Sequence, residues 1–267
     1  MTITIINGGT QGLGEAVARR LVSQGGASGL VLTGRSTERG ERLAAELTEL
    51  GTPTVFLEID IADPAAPRQI VDACDDRFGV VHGLVNIAAA TSRATLFADT
   101  PEHFDRHMTI NAKAPYFLIQ AAARVMVREG VKGSIVNVGS VTGHGGQPKL
   151  TAYAMSKGAL TIMTRNLAFG LMGHGIRVNQ VNPGWMDTES EHHTQITYDG
   201  APENWLESAE AGRPFGRLVK PWEVANLIAF CLSDDAGLLT GNCIDVDQSV
   251  LGAGEPHVPG PDDAIPL

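Results

Sequence analysis

Cysteine is scarce in this sequence, and long apolar runs are missing from it. The three cysteines, Cys74, Cys231 and Cys243, are odd in number and far apart, which favours reduced thiols over a disulfide framework. No uncharged apolar stretch reaches the ~18 residues that a membrane span requires. The N-terminus also lacks the basic and apolar segments of a secretion signal. These absences predict a cytoplasmic protein that is not embedded in a membrane.

Positive charge is also in short supply. The chain has 20 lysines and arginines against 30 aspartates and glutamates, which gives a net charge of -10. Such a surface repels phosphate backbones and anionic lipids, so we expect neither a nucleic acid nor a membrane as partner. Apolar residues make up 43% of the 267 residues, enough for the core of one sizeable α/β domain.

Strand-like and helix-like segments alternate along the chain, which is typical of a parallel sheet covered on both faces. The predicted strands are residues 2–7, 29–33, 54–59, 81–87, 133–139, 176–182 and 243–247. The predicted helices are residues 13–24, 37–50, 64–78, 101–127, 152–172 and 221–233. Residues 135–138 show little alternation, as expected for a strand buried on both faces. We predict a single α/β domain over residues 1–251, built on a doubly wound seven-stranded parallel sheet.

Two stretches interrupt this alternation. Residues 184–215 are polar, aromatic and acidic, and they are too long for a plain connection, so we predict a lid over the functional site. Residues 252–267 contain prolines at 256, 259, 261 and 266 and are predicted to form an irregular C-terminal tail.

A tyrosine, a lysine and a serine carry the strongest chemical signal. Tyr153 and Lys157 are four residues apart, so a helix would present both on one face. Ser140 ends the apolar run 134–140, which is a predicted buried strand. A phenol near an ammonium, with a hydroxyl beside it, is suited to moving a proton to or from a substrate oxygen.

A glycine-rich loop follows the first predicted strand. Gly8, Gly12 and Gly14 allow a tight turn and let the backbone approach a pyrophosphate at the N-terminus of a helix. Three glycines alone are a weak signal, but the strand before them, the helix after them and the Tyr/Lys pair strengthen it.

Together these motifs resemble those of single-domain short-chain dehydrogenases/reductases, over nearly the whole chain. The family's Asn-Asn-Ala-Gly segment is altered here to residues 86–89, and its Val-Asp-Gly-Gly segment to residues 246–249. Its Pro-Gly-x-x-x-Thr segment matches residues 183–188. The altered positions lie outside the proton-transfer set and bear on packing and substrate choice: they are Ile87, Ala89, Gln248 and Ser249. The resemblance implies a Rossmann-type fold and an oxidoreductase that interconverts a secondary alcohol and a ketone.

The resemblance also implies a role for each catalytic residue. Tyr153 would be the general acid/base, with its pKa lowered by Lys157 and by an oxidised nicotinamide ring. Ser140 would hold the substrate oxygen, and Lys157 would also bind the nicotinamide ribose. Asn111 would anchor a water that passes protons from Lys157 to solvent.

The end of the second strand bears on the choice of cofactor. NAD enzymes normally have a carboxylate there to bind the ribose 2′-hydroxyl, whereas this chain has Gly34 followed by Arg35 and Ser36. A guanidinium can pair with a 2′-phosphate, so we predict a preference for NADP(H), with NAD(H) possible. Further expected contacts of the cofactor are Thr10, Gln11, Leu13, Asp60, Ile61, Asn86, Pro183, Gly184 and Thr188.

The substrate pocket is expected to be polar, with a lining that includes Arg93, His144, Gln147 and Trp185. Such a lining suits a sugar or polyol better than a steroid or a long acyl chain. Reduction of a 3-oxoacyl thioester and a non-catalytic cofactor-sensing role are the alternatives. His103 and His107 lie four residues apart, but no third ligand supports a metal site, so we predict a solvated helix face. Family members pair the 101–127 and 152–172 helices, so a homotetramer or a homodimer is expected.

Overall fold

The structure is a computed structural model that describes residues 2–253. The predicted tail from residue 254 onward lies outside the described residues. Within the described residues there are seven strands: β1 Ile3–Asn7, β2 Gly29–Gly34, β3 Thr54–Glu58, β4 Gly83–Asn86, β5 Ser134–Val138, β6 Arg177–Pro183 and β7 Cys243–Val246. The α-helices are α1 Gly12–Ser23, α2 Thr37–Glu49, α3 Ala66–Phe78, α4 Pro101–Met108, α5 Ala114–Arg128, α6 Thr151–Leu171, α7 Glu189–Thr197, α8 Trp205–Ala211 and α9 Pro221–Leu232.

The strands form one parallel sheet in the order β3-β2-β1-β4-β5-β6-β7. The order reverses between β1 and β4, where Asn7 pairs in register with Asn86. In a doubly wound sheet, ligands bind outside the carboxyl ends of the strands at this reversal point. The fold therefore places a binding crevice at the end of β1, where the glycine loop begins.

Both faces of the sheet are buried, as the lack of alternation in the strands predicts. Neighbouring residues contribute to opposite layers: Ile5 packs into one core cluster and Ile6 into the other. Helices α3, α5 and α6 cover the first face, and α1, α2 and α9 cover the second. The core thus holds the carboxyl edge of the sheet rigid on both sides.

The predicted helix over residues 101–127 is not continuous. It is divided into α4 and α5 by a π-helical turn, Thr109–Lys113. Pro115 lacks the N–H that would bond to the carbonyl of Asn111, and its ring crowds that carbonyl. The wider turn accommodates the proline and carries Asn111, which is 1% exposed, into the interior.

The predicted lid region, residues 184–215, contains two short helices, α7 and α8, rather than irregular chain alone. Thr188 caps the N-terminus of α7 by accepting a hydrogen bond from the Glu191 amide at 3.2 Å. Across residues 2–253, no helix combines the length and the apolar character that crossing a membrane requires.

Candidate active site

Three elements bring the predicted catalytic residues together. Ser140 follows β5, Tyr153 and Lys157 lie on the first two turns of α6, and Asn111 lies in the π-helical turn. The Ser140 hydroxyl accepts a hydrogen bond from the Thr142 amide at 3.1 Å, which fixes the turn that faces α6. The helical spacing of Tyr153 and Lys157 puts their side chains on one face, as predicted.

Lys157 is buried, with 3% of its surface exposed. Its ammonium donates a hydrogen bond to the Val138 carbonyl at 2.7 Å and lies 5.6 Å from the centroid of the Tyr153 ring. Burial disfavours the charged form and lowers the pKa of Lys157 to about 8. The lysine is therefore held close to the phenol in a setting where its proton is easily released.

The surroundings of Tyr153 differ from the expectation in one respect. Burial raises the pKa of the Tyr153 phenol, the Ser140 hydroxyl beside it acts in the opposite direction, and the Glu191 carboxylate raises the pKa further. The predicted lowering by Lys157 is not found in the protein alone, because the lysine donates its hydrogen bond to a backbone carbonyl instead. Lowering this pKa therefore requires a further positive charge at the site.

Asn111 joins three segments around the catalytic helix. Its Oδ1 accepts a hydrogen bond from the Ala90 amide at 2.8 Å, and its Nδ2 donates to the Ala90 carbonyl and to Ser156 Oγ, both at 2.9 Å. Ser156 is adjacent to Lys157 on α6, so the π-helical turn is tied to the catalytic turn of that helix. The side-chain amide is fully used in these contacts.

The glycine loop fits a dinucleotide for steric reasons. Gly8 has a φ of +86°, and a Cβ there would lie 2.6 Å from the Ala88 amide nitrogen. A Cβ at Gly14 would lie 1.9 Å from the Gly8 carbonyl oxygen. The loop is therefore as close-packed as glycine allows, and it leads directly into the N-terminus of α1 with Gln11 as the N-cap residue.

Buried polar atoms mark the same crevice. Asn7 Nδ2 and Asn86 Oδ1 lie at the ends of β1 and β4, and neither has a hydrogen-bond partner among the described residues. Asn86 Nδ2 donates to Asn137 Oδ1 at 2.9 Å, so this side chain bridges from β4 to β5. Buried polar atoms without partners commonly mark a place where a ligand or water belongs. The donor set and the glycine loop together fit a nicotinamide dinucleotide.

The end of β2 is arranged as its sequence suggests. Arg35 is exposed and directly follows Gly34, while Ser36 caps α2 by accepting a hydrogen bond from the Arg39 amide. A Cβ at Gly34 would lie 2.7 Å from Thr10 Oγ1, so the glycine loop packs against the end of this strand. On the far side of β2, Asp60 is exposed and Ile61 is buried.

The start of the predicted lid region lies beside the glycine loop, and one carboxylate joins several side chains of this region. Thr188 is 3.9 Å from the position of a Cβ on Gly12. Glu191 Oε1 accepts hydrogen bonds from Trp185 Nε1 at 2.7 Å, Gln195 Nε2 at 2.8 Å and Arg93 Nη2 at 3.1 Å. Arg93 also pairs with Asp199. Arg93 and Trp185 therefore both bind the Glu191 carboxylate of the predicted lid region.

The other two expected substrate residues lie elsewhere on the rim. His144 Nε2 is 3.0 Å from Asp245 Oδ2, and Asn182 Nδ2 donates to Asp245 Oδ1 at 2.9 Å. Gln147 is exposed. Three of the four side chains expected to line the substrate pocket, namely Arg93, His144 and Trp185, are therefore hydrogen-bonded to neighbouring side chains.

The predicted solvated helix face of His103 and His107 is wrong at His107. His107 is completely buried, not on a solvated face: its Nδ1 donates to the His103 carbonyl at 2.9 Å, and its ring meets the Tyr153 ring edge-on at 6.3 Å. In the predicted lid region, His192 also makes specific contacts: its Nε2 lies 2.8 Å from Asp187 Oδ1, and its ring packs on Trp205. The i, i+4 spacing showed the shared helix face but not that α6 covers it.

Burial lowers the pKa of His107, which predicts sensitivity to acid. The unfolded chain binds a proton here below ~6.5, whereas the folded protein resists that proton, so unfolding takes up protons and stability falls as the pH drops below that value. His107→Leu should therefore flatten the fall in melting temperature between pH 7.5 and pH 5.5. Calorimetry at these pH values measures it, with the exposed His174→Leu as control. Equal acid sensitivity of the wild type and His107→Leu would contradict the assignment.

Several groups in the lid were missed by sequence reasoning. Lys220 donates to Asp187 Oδ2 at 2.7 Å and to Glu210 Oε1 at 3.2 Å, which ties the start of α9 to both ends of the lid. Gln248 accepts from the Phe215 amide at 2.9 Å and donates to the Arg217 carbonyl at 2.6 Å. The altered position 248 therefore anchors the end of the lid, a role that only its contacts reveal.

Comparisons with known proteins agree with this geometry. The family model described as enoyl-(acyl carrier protein) reductase matches residues 8–249. A 4-formylbenzenesulfonate dehydrogenase from Comamonas testosteroni is 38% identical over 92% of this chain and 96% of its own length. An NADP-dependent (R)-specific alcohol dehydrogenase from Lentilactobacillus kefiri is 30% identical over 92% and 94%. The crystal structure of an NAD+-bound xylitol dehydrogenase superimposes with a TM-score of 0.83 at 26% identity, over 93% of this chain and 98% of its own.

Proposed function

We propose that this chain, which belongs to the short-chain dehydrogenase/reductase family and is a nicotinamide-dependent oxidoreductase, interconverts a secondary alcohol and a ketone. The proposed substrate is polar and hydroxylated. The observation that carries the proposal is the convergence of Ser140, Tyr153 and Lys157 at the carboxyl edge of the sheet. These groups are suited to holding an oxygen and moving its proton, and a merely structural cluster has no need of them.

In the proposed mechanism, Ser140 holds the substrate oxygen and Tyr153 takes or gives its proton. Lys157 lies next to the phenol and can supply a proton to it, since burial lowers the pKa of its ammonium to about 8. Asn111 keeps the turn of α6 that carries Lys157 in place through Ser156. The roles are thus divided between two groups that touch the reacting oxygen and two that support them.

The cofactor would lie along the crevice between β1 and β4. The N-terminus of α1 with Gly12 and Leu13 would hold the pyrophosphate, Arg35 and Ser36 the adenosine ribose, and Asp60 with Ile61 the adenine. Pro183, Gly184 and Thr188 at the start of the lid, together with Lys157, would hold the nicotinamide end. When bound, the nicotinamide supplies the hydride acceptor or donor of the reaction.

The substrate class rests on the chemistry of the rim. Arg93 with Glu191, and His144 with Asp245, surround the site with ordered charged and polar groups. Hydroxyl groups can hydrogen-bond to such a lining, whereas a long acyl chain or a steroid would leave it unpaired. The structural likeness to a xylitol dehydrogenase supports the same class.

A screen of substrates tests the proposal directly. Polyols, sugars, simple ketones, 4-formylbenzenesulfonate and a 3-oxoacyl thioester would each be tested with both cofactors, by absorbance of the reduced nicotinamide. We expect turnover of polyols or hydroxyketones with the highest kcat/KM. Highest turnover of the thioester would instead support the 3-oxoacyl reductase alternative. Cofactor binding without turnover of any compound would favour the sensing role.

NADP(H) is the proposed preference, and Arg35 is the residue that would produce it. Arg35→Ala should weaken kcat/KM with NADP by roughly 10-fold or more and leave NAD little changed, because only NADP offers a 2′-phosphate to the guanidinium. Because Arg35 is exposed, the binding free energy lost with it should lie at the low end of the range for a charge pair. The control is Arg68→Ala, since Arg68 is exposed on α3. Equal weakening of both cofactors, or a wild type that prefers NAD, would rule out this assignment.

The reverse substitution needs a companion change. Gly34→Asp would supply an acceptor for the ribose hydroxyl of NAD, but its Cβ would lie 2.7 Å and 2.8 Å from Thr10 Oγ1 and Cγ2. Thr10→Ala removes both atoms. The double variant should therefore shift preference toward NAD relative to Thr10→Ala alone, and an unchanged ratio of the two kcat/KM values would count against the ribose contact.

Assembly into a homodimer or homotetramer is proposed through the outer faces of α5 and α6. Large apolar side chains are exposed there, namely Tyr116, Phe117, Val127, Ile162 and Phe169. An apolar groove of about 510 Å³ runs between the two helices. Exposed apolar surface of this extent favours a protein partner, and a second copy is the simplest one. We propose a cytoplasmic location because the three cysteines are free thiols.

A further inference from the structure

Three side chains outside the catalytic cluster form a chain of hydrogen bonds. Asp99 Oδ1 lies 2.6 Å from His103 Nδ1, and His103 Nε2 lies 3.0 Å from Ser92 Oγ. Asp99 is held in turn by the Thr100 amide, which donates to the same carboxylate oxygen at 2.8 Å. The histidine ring is therefore fixed from both ends, by a carboxylate on one side and a hydroxyl on the other.

The series of hydrogen bonds from Asp99 through His103 ends at Ser92, in a segment that is anchored beside α6. Residues 90–94 are anchored at both ends: Ala90 is tied through Asn111 to Ser156, and the Ala94 amide donates to the Lys149 carbonyl at 3.0 Å. Lys149 precedes α6 and Ser156 lies on it, and Tyr153 stands between these two anchor points in the sequence. Ser92 lies in the middle of the segment that these contacts hold against the start of α6, and the residue is exposed.

Aromatic packing supports this placement. The His103 ring lies 4.4 Å from the His107 ring, and His107 meets the Tyr153 ring edge-on. His107 is buried and its ring contacts the rings of both His103 and Tyr153, so it connects the two residues by direct packing. Ser92 is therefore linked to Tyr153 through His103 and His107.

The positions of the protons follow from the partners. A carboxylate can only accept, so His103 donates from Nδ1 to Asp99. In the neutral imidazole, Nε2 then accepts a hydrogen bond from the Ser92 hydroxyl. The one hydroxyl hydrogen of Ser92 is used in this bond, so its oxygen can accept a further hydrogen bond but cannot donate one.

We propose that Ser92 is a specificity-determining residue that accepts a hydrogen bond from a second hydroxyl of the substrate, next to the oxygen that Tyr153 serves. His103 and Asp99 are positioning residues that hold Ser92 as an acceptor. The ligand class is a vicinal diol or the corresponding hydroxyketone. This inference deepens the proposed function and rests on it.

Two ketones that differ in one hydroxyl test the inference, acetoin and 2-butanone. The wild type should reduce acetoin with a kcat/KM roughly 10-fold above that for 2-butanone, the worth of one hydrogen bond. Ser92→Ala should remove most of that ratio, mainly through KM for acetoin. Ser92→Thr keeps a hydroxyl and should restore it, and His103→Phe should lower it while preserving the ring packing on His107.

The outcomes separate this inference from the proposed function. If neither ketone is reduced, the ketone reductase activity fails and the inference falls with it. If both are reduced but the wild type does not favour acetoin, or Ser92→Ala lowers both values equally, the function stands and the role of Ser92 is wrong. Labelling of Ser92 by a fluorophosphonate, lost in His103→Phe, would mean that the hydroxyl is a nucleophile and would also overturn the inference.

Discussion

Tyr153→Phe is expected to abolish turnover and to leave cofactor binding nearly intact. The substitution removes the phenol oxygen and keeps the ring, so the edge contact with His107 and the packing of α6 are retained. Loss of a general acid/base costs ~10²–10⁴-fold in rate. Steady-state kinetics with the best substrate of the screen measures kcat, and titration of cofactor fluorescence measures the dissociation constant.

Tyr116→Phe is the matched control, because Tyr116 lies on the outer face of α5 and is 43% exposed. It should keep wild-type kcat. The melting temperature of Tyr153→Phe should also stay close to that of the wild type, since only one hydroxyl is lost. A Tyr153→Phe enzyme with wild-type kcat would show that another group transfers the proton.

The positions of the strands along the chain were predictable because the sequence signals of strands are local. Buried strands such as β5 are short apolar runs between turn residues, and each predicted strand lies within two residues of the observed one at either end. The break between α4 and α5 was signalled by Pro115, but apolar residues continue on both sides of it. The periodicity therefore favoured one long helix, and the π-helical turn that places Asn111 depends on its contacts with Ala90 and Ser156.

The contacts at the site were less accessible to sequence reasoning. The catalytic residue types and their spacing carry a chemical signal, whereas Arg93 and Glu191 are 98 positions apart and nothing local links them. His107 was misjudged for the same reason, because a helix face becomes buried only when another element covers it. Burial of a polar residue is a property of packing, and the orientation of the lid decides which rim residues remain available to a substrate.

Lys157→Met is expected to have the second-largest effect, on both cofactor affinity and the pH profile of oxidation. The buried ammonium lies 5.6 Å from the centroid of the Tyr153 ring. A nearby cation favours the phenolate, while burial of Tyr153 disfavours it and raises the pKa of the phenol. In the protein alone the lysine does not offset the effect of burial, so we expect it to act together with the positive charge of the oxidised nicotinamide ring. Without the lysine, oxidation should become fast only at higher pH, and kcat near neutrality should fall by ~10²-fold or more.

The pH profile distinguishes this role from a structural one. Burial lowers the pKa of Lys157 to about 8, below its ordinary value, so below that pH the charged form opposes folding and its stability cost disappears only as the pH rises toward the unfolded value. Met removes that cost and also leaves the Val138 carbonyl without its donor, so the melting temperature should change little. The exposed Lys132→Met serves as control. A pH profile identical to that of the wild type, with only kcat reduced, would mean that Lys157 positions the cofactor and that another charge sets the pKa of Tyr153.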